Sequence, residues 1–176
     1  HAVGVMDFHV TDDSRIDLHG VKGPRPLPVR VWYPAETTEG FKRRPYFTET
    51  EAVTTATGMA RVLGVPFLFQ YTKHALTNSY QDAPLIEGAS DLPVVIYSHG
   101  FTSFMGQNTV LMEELASHGY VVFSISHTGD ASPVVLDDGR LLSQDPAVLE
   151  SMQELAGGSI SDDMRDYFLE IGRAHV

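Results

Sequence analysis

Cysteine is absent from all 176 residues, which removes disulfides, thiolate nucleophiles and cysteine-held metals from consideration. Cations are scarce too. Twelve Lys and Arg stand against 23 Asp and Glu, a formal net charge of −11. Nucleic-acid backbones are held by clustered cations, so a nucleic-acid partner is not expected. The one basic cluster, Lys42-Arg43-Arg44, reads as a solvated turn. No run approaches the ~20 apolar residues of a membrane-crossing helix. The eight histidines include no His-Glu-x-x-His spacing, so neither a zinc site nor any other metal or cofactor is expected. The chain starts at His1 with neither an initiator Met nor a signal-peptide pattern. A removed leader and a missing start both fit, and secreted, periplasmic and cytoplasmic locations all stay open.

What is present describes a folded domain. Hydrophobic residues make up 43% and charged residues 20%, the balance of a chain with a core, and the length suits one core better than two. Val3, Val5, Phe8 and Val10 form a first strand-like run, closed by the turn signal Asp12-Asp13-Ser14. Ile16 and Leu18 suggest a second strand before the breaker Gly20 to Pro24. Leu27, Val29, Val31 and Tyr33 alternate with Pro28, Arg30 and Trp32 as a third. Three short-linked strands imply an antiparallel meander at the edge of a sheet.

Residues 35–91 read as an excursion between sheet strands. Thr48-Glu49-Thr50-Glu51 matches a capping box for a helix expected to end at Gly64. Leu92 to Ser98 and Tyr120 to Ser126 are apolar runs of the kind buried on both faces. Between them, Gln107 to His118 has helical character, with Gly119 placed as its left-handed cap. Strand, helix and strand make a βαβ crossover, so the two strands should be parallel. Beyond His127, Val134 to Leu142 reads as a hairpin with an Asp-Gly turn, followed by helical segments near 145–155 and 161–170.

The chemistry centres on Ser98-His99-Gly100-Phe101-Thr102-Ser103, at the carboxyl end of a parallel strand and just before a helix. Ligands of open α/β sheets bind outside such ends. Gly100 lets the backbone turn sharply there, and the next N–H, that of Phe101, can point into the crevice. A backbone N–H so placed is what a tetrahedral oxyanion needs during acyl transfer. His99 reads as a loop-shaping side chain rather than a base, and His118 and His127 as polar caps of the second strand.

Leu92 to Phe101 and Leu115 to Val122, with Val29 to Ala35 and Asp82 to Leu85 upstream, resemble the platelet-activating-factor acetylhydrolase and dienelactone-hydrolase-like branch of the α/β-hydrolases. Gly100-Phe101-Thr102 and Leu115 to Val122 are also similar to the cutinase-like polyester hydrolases. The resemblance implies an α/β fold, the N-terminal part of an α/β-hydrolase mixed sheet. It also implies a serine hydrolase of carboxylic esters acting through an acyl-enzyme, with the Phe101 N–H as one oxyanion donor and a small-molecule ester as substrate. Phe67, Phe69 and Phe104 are candidates for lining an acyl pocket, with ordinary core packing as the competing assignment.

The sequence departs from that family in one decisive respect. A nucleophile elbow needs Gly-X-Ser-X-Gly, and Ser98, Ser117 and Ser159 each have only one of the two glycines. The triad order in this fold is Ser, acid, His, so all three members are expected beyond residue 176 and the chain alone is expected to be inactive and marginally stable. The last six residues, Ile171 to Val176, match a translated frame of a common sequencing-library adapter. Residues 1–170 are accordingly expected to be the N-terminal portion of one domain, with 171–176 a non-native tail. The competing class is a non-catalytic α/β module binding a ligand or protein; a cofactor-binding Rossmann domain is disfavoured because no Gly-x-Gly-x-x-Gly follows either buried strand.

Overall fold

The computed structural model describes residues 1–16, 24–55, 68–136 and 138–156, together with residues 162 and 166. Leu18, the expected helix end at Gly64, Phe67 and the tail 171–176 lie outside these residues, as does most of 161–170.

The alternating apolar positions of the first third build a long hairpin. Strand β1 (Ala2–Ile16) pairs antiparallel with β2 (Pro24–Ala35), Ala2 opposite Ala35 and Asp12 opposite Arg25. The expected three-strand meander is thus two strands. Asp12-Asp13-Ser14 lies inside β1, where the register slips between Asp12 and Ile16. An irregularity in the ladder absorbs these turn-forming residues while pairing with β2 resumes beyond them.

Strand β2 is central, not at an edge, and both its faces are covered. Val29, Val31 and Tyr33 pack on one face with Phe8, Phe123 and Ile125. On the other, Trp32 joins Val3, Val5, Met112, Ala116 and Val122 in the main core. The hairpin is close-packed where Tyr33 crosses Gly4. A Cβ on Gly4 would lie 2.3 Å from Tyr33 Cε2, and the ring is anchored by its hydroxyl, which donates to the Ala83 carbonyl at 2.7 Å. Gly4→Ala is therefore expected to lower the urea midpoint, by a destabilisation of about 1–3 kcal/mol.

The excursion returns to the sheet. Strand β3 (Arg43–Pro45) pairs antiparallel with β4 (Leu76–Gln81), and β4 pairs parallel with β1, Val3 opposite Ser79. Helix α1, residues 49–55 of those described, begins with the expected capping box. The Glu51 N–H donates to Thr48 Oγ1 at 3.2 Å, and the Thr48 N–H donates to Glu51 Oε2 at 2.7 Å. The basic cluster is not a solvated turn throughout. Lys42 and Arg43 are exposed, but Arg44 is buried against carboxylates of β1 and α1.

The βαβ connection is as expected. Strand β5 (Val94–Ser98) and β6 (Val121–Ile125) are parallel, joined through helix α2 (Thr109–Ser117). The helix stops in a Schellman arrangement. The Gly119 N–H reaches the Ala116 carbonyl and the Tyr120 N–H the Leu115 carbonyl, with Gly119 at φ +95°. Tyr120 and Leu115 then each pack against the main core. Strand β6 pairs antiparallel with β2, completing the order β3-β4-β1-β2-β6-β5.

One expectation about this unit fails. Strand β5 is not buried on both faces: it is the edge strand, with Val94 60% and Ile96 70% exposed. Its apolar pattern suits a covered strand, but no described residue pairs with its outer edge. After β6 the expected hairpin forms from β7 (Val134–Val135) and β8 (Leu141–Leu142), followed by helix α3 (Pro146–Ala156). Among the described residues no helix is long and apolar enough to cross a membrane.

Candidate active site

The chain leaves β5 after Ser98 and turns at once. The Ser103 N–H donates to the Gly100 carbonyl at 3.0 Å, closing a four-residue turn from Gly100 to Ser103. Thr102, third in that turn, has φ +64°. A positive φ at the third position alone marks the type II turn, where glycine is usual. A β-branched residue there costs roughly 1–2 kcal/mol, so neighbouring contacts must hold it. Ser132 supplies them: its hydroxyl donates to the Thr102 carbonyl at 2.9 Å and its N–H to the Ser103 carbonyl at 2.8 Å.

His99 fastens the loop from the other side. It is 7% exposed, and its Nε2 accepts the His127 N–H at 3.2 Å. An acceptor Nε2 carries no proton, so the neutral ring carries it on Nδ1, which donates to the Gly100 carbonyl at 2.8 Å. The Gly100 carbonyl thus receives two hydrogen bonds. It shares one peptide plane with the Phe101 N–H, and no peptide bond in the described chain is cis. Fixing the carbonyl therefore fixes the N–H on the opposite side of that plane. The direction of the Phe101 N–H is set by His99 and Ser103 rather than left to a mobile loop.

The ends of β5 and β6 meet because the strands are parallel and in register, Ser98 opposite Ile125. This brings Ser98 Oγ to 2.6 Å from His127 Nε2, and the His127 ring lies edge-on to His99 with centroids 4.9 Å apart. His127 is placed by a turn in which the Asp130 and Ala131 N–H groups donate to its carbonyl at 3.1 and 2.7 Å. The buried Arg25 of β2 secures that turn, donating to the Thr128 carbonyl at 2.9 Å and lying 3.8 Å from Asp130 Oδ2.

Of the expected pocket aromatics Phe67, Phe69 and Phe104, only Phe104 has a described side chain. Phe104 is buried and packs against Phe47 at 5.0 Å and Tyr46 at 6.3 Å, supporting the loop from below as part of the core. Phe69 falls in a 3-10 turn, Leu68–His74, and its side chain is outside the described residues. Phe101 itself is 37% exposed. Sequence reasoning did not find a cavity of about 210 Å³ whose walls include Phe8, Pro28, Arg44, Met105, Val134 and Leu136. Met105 belongs to the same loop as Phe101, four residues on, so their Cα atoms are within about 15 Å.

Beneath that cavity lies a buried charge cluster. Arg30 donates to Asp7 Oδ1 at 2.7 Å and to Glu51, while Arg44 donates to Asp7 Oδ2 at 2.8 Å and to Glu51 at 3.3 Å. Burial pushes the Glu51 carboxyl up, but Arg30 and Arg44 together outweigh it and hold it at about 2. Burial, then the nearby Arg30, lowers Arg44. Among the described residues no group of three His, Cys, Asp or Glu is arranged to hold a metal ion.

Residues 3–137 match the family model described as platelet-activating factor acetylhydrolase, isoform II. Among solved structures, the chain is similar to the ferulic acid esterase from Streptomyces cinnamoneus, at 28% identity and a TM-score of 0.64. That match covers 80% of this chain and 37% of the esterase, so the chain spans well under half the length of the protein it resembles. No curated protein matches.

Proposed function

Because this chain belongs to the platelet-activating factor acetylhydrolase, isoform II family, we propose that it is the N-terminal part of a serine hydrolase of carboxylic esters. Its role there is to present the Phe101 N–H as one of two oxyanion donors. The observation that carries this reading is the Gly100–Phe101 peptide plane, fixed by two hydrogen bonds on the Gly100 carbonyl at the carboxyl end of β5. A preorganised donor stabilises the developing oxyanion without having to be reoriented as the barrier is crossed.

The open edge of β5 supports the rest. Its outer side, which no described residue pairs, and the exposed Val94 and Ile96 suit a further parallel strand laid beside it. A nucleophile elbow at the end of that strand would bring its serine beside the His99–Phe101 loop. That serine would attack the ester carbonyl, and the tetrahedral oxyanion would take the Phe101 N–H and the N–H following the serine. A histidine oriented by an acid would pass the proton to the leaving alcohol and later activate water. His99, neutral and hydrogen-bonded through both ring nitrogens, shapes the loop and has no part in proton transfer.

Residues 1–176 contain no elbow, so on their own they give no sustained ester turnover. Substrates of the structural neighbour and of the family, a ferulic acid ester and an acetyl ester by name, both fall within the proposed class. The test is the genomic sequence beyond residue 170. A Gly-X-Ser-X-Gly within about a hundred residues of His127, preceded by an apolar strand pattern, is the expected result. A stop codon, or a continuation with no such motif, would count against an enzyme.

A further inference from the structure

We propose that the cavity bounded by β1, α1 and β7 is a binding site for a neutral, ring-sized molecule carrying one hydroxyl group, of the phenol class. This does not rest on the hydrolase reading; it concerns residues present in this chain. The cavity measures about 210 Å³. A cavity of about 150 Å³ walled by apolar side chains takes up benzene, so this one has room for a six-membered ring and a small substituent. Its apolar wall includes Pro28, Met105, Val134 and Leu136, all of them buried. His9 and Thr50 also line it and are exposed, which gives a ligand a way in.

The polar residues of the cavity select the functional group. Asp7 accepts from Arg30 Nε at 2.7 Å, from Arg30 Nη2 at 3.1 Å and from Arg44 Nη2 at 2.8 Å. A carboxylate has about four acceptor positions, so Asp7 has room for one more donor, and its side chain is 29% exposed. Arg44 has the opposite need. It is buried, and among the described residues its Nε has no hydrogen-bond partner. A buried guanidinium donor left unpaired is costly, so an oxygen that reaches it is favoured. The two side chains are joined by an ion pair, so a single group seated beside them must donate to one and accept from the other. A hydroxyl does both. An ether, a ketone or a carboxylate has no proton for Asp7, and an ammonium has no lone pair for Arg44.

Charge balance points the same way. Arg30 and Arg44 face Asp7 and Glu51, two cations against two carboxylates, so the cluster has no net charge to offer an ion. An ionic ligand would give up its hydration without gaining a counter-charge, whereas a phenol is uncharged near neutral pH. Thr48 and Glu51 are already engaged with each other in the capping box, and Glu51 with both arginines. The seat for the hydroxyl is therefore the Asp7–Arg44 pair, with the ring against the apolar wall.

The experiment titrates the 176-residue chain with p-cresol, 4-methylanisole and toluene, following the backbone amides and the arginine Nε–H signals by NMR. The Arg44 signal is identified by its loss in Arg44→Lys. The expected result is saturable p-cresol shifts at the amides of Phe8, Thr50 and Val134 and at Arg44 Nε–H. p-Cresol should bind about 10-fold or more tightly than the other two, which lack the donor. Val134→Phe places a larger side chain in the cavity wall and should remove those shifts at unchanged circular dichroism. No saturable shift, shifts centred away from the cavity, or equal affinity for p-cresol and 4-methylanisole would overturn the proposal. These comparisons use the unaltered chain, so they decide the matter even where a variant fails to fold. Undiminished binding in a folded Val134→Phe would overturn it too.

Discussion

Arg30→Met is expected to destabilise the chain by about 3–5 kcal/mol, the cost of removing one partner from a buried charge cluster. The Arg30 side chain is 2% exposed, bonded to Asp7 through both carboxylate oxygens and to Glu51, and stacked over Trp32 at 5.9 Å. Its loss leaves Asp7 and Glu51 sharing Arg44 as their one cation among the described residues. A domain of ordinary stability has only about 5–15 kcal/mol to lose, so urea titration should show a greatly lowered midpoint or no folded baseline. Glu51→Gln in the same background should restore part of the loss, because the two sites are coupled. The pH dependence has a definite sign. The Glu51 carboxyl is held at about 2, below its ordinary value of 4.5, so its contribution is complete above pH 4.5 and is lost as pH falls toward 2. That contribution is about 3 kcal/mol. Glu51→Gln alone should flatten the stability curve across this window, and an unchanged acid limb would show that the cluster does not hold the charge.

The parts of the fold that could be read in the sequence are those decided locally. The capping box needs only Thr48 and Glu51, three residues apart, and it forms as the spacing implies. The Gly119 stop needs only the last turn of its helix, where the Tyr120 N–H reaches back to the Leu115 carbonyl. The βαβ unit follows from two apolar runs separated by one helix length. Distant contacts decided the rest. Arg30 sits in a period-2 pattern that suggests a solvent-facing position, yet its partners lie 23 residues before it and 21 after. The Asp12-Asp13-Ser14 signal was overridden by the ladder with β2. An apolar run like Val94 to Ser98 has the same composition whether its neighbours cover it or not, so the open edge of β5 was not legible.

The site divides in the same way. The turn at His99-Gly100-Phe101 was legible because a glycine directly after an apolar strand run marks a sharp change of chain direction. Its bracing by Ser132 was not, since the two segments lie about thirty residues apart. The Ser98–His127 contact had a usable signal. Residues that close two in-register parallel strands of one βαβ unit must emerge side by side.

The central claim, that the Phe101 N–H is an oxyanion donor, admits a direct test because of the turn it occupies. Phe101 is second in the Gly100–Ser103 turn, a position where type II turns accept proline readily. Phe101→Pro should keep the loop and remove the one hydrogen-bond donor in question. The measurement is kcat and KM for p-nitrophenyl butyrate hydrolysis by the full-length gene product, with and without this substitution. The account predicts a fall in kcat of about 10²–10³-fold with KM little changed, the signature of an interaction made only in the transition state. An unchanged kcat in a folded Phe101→Pro variant would contradict it.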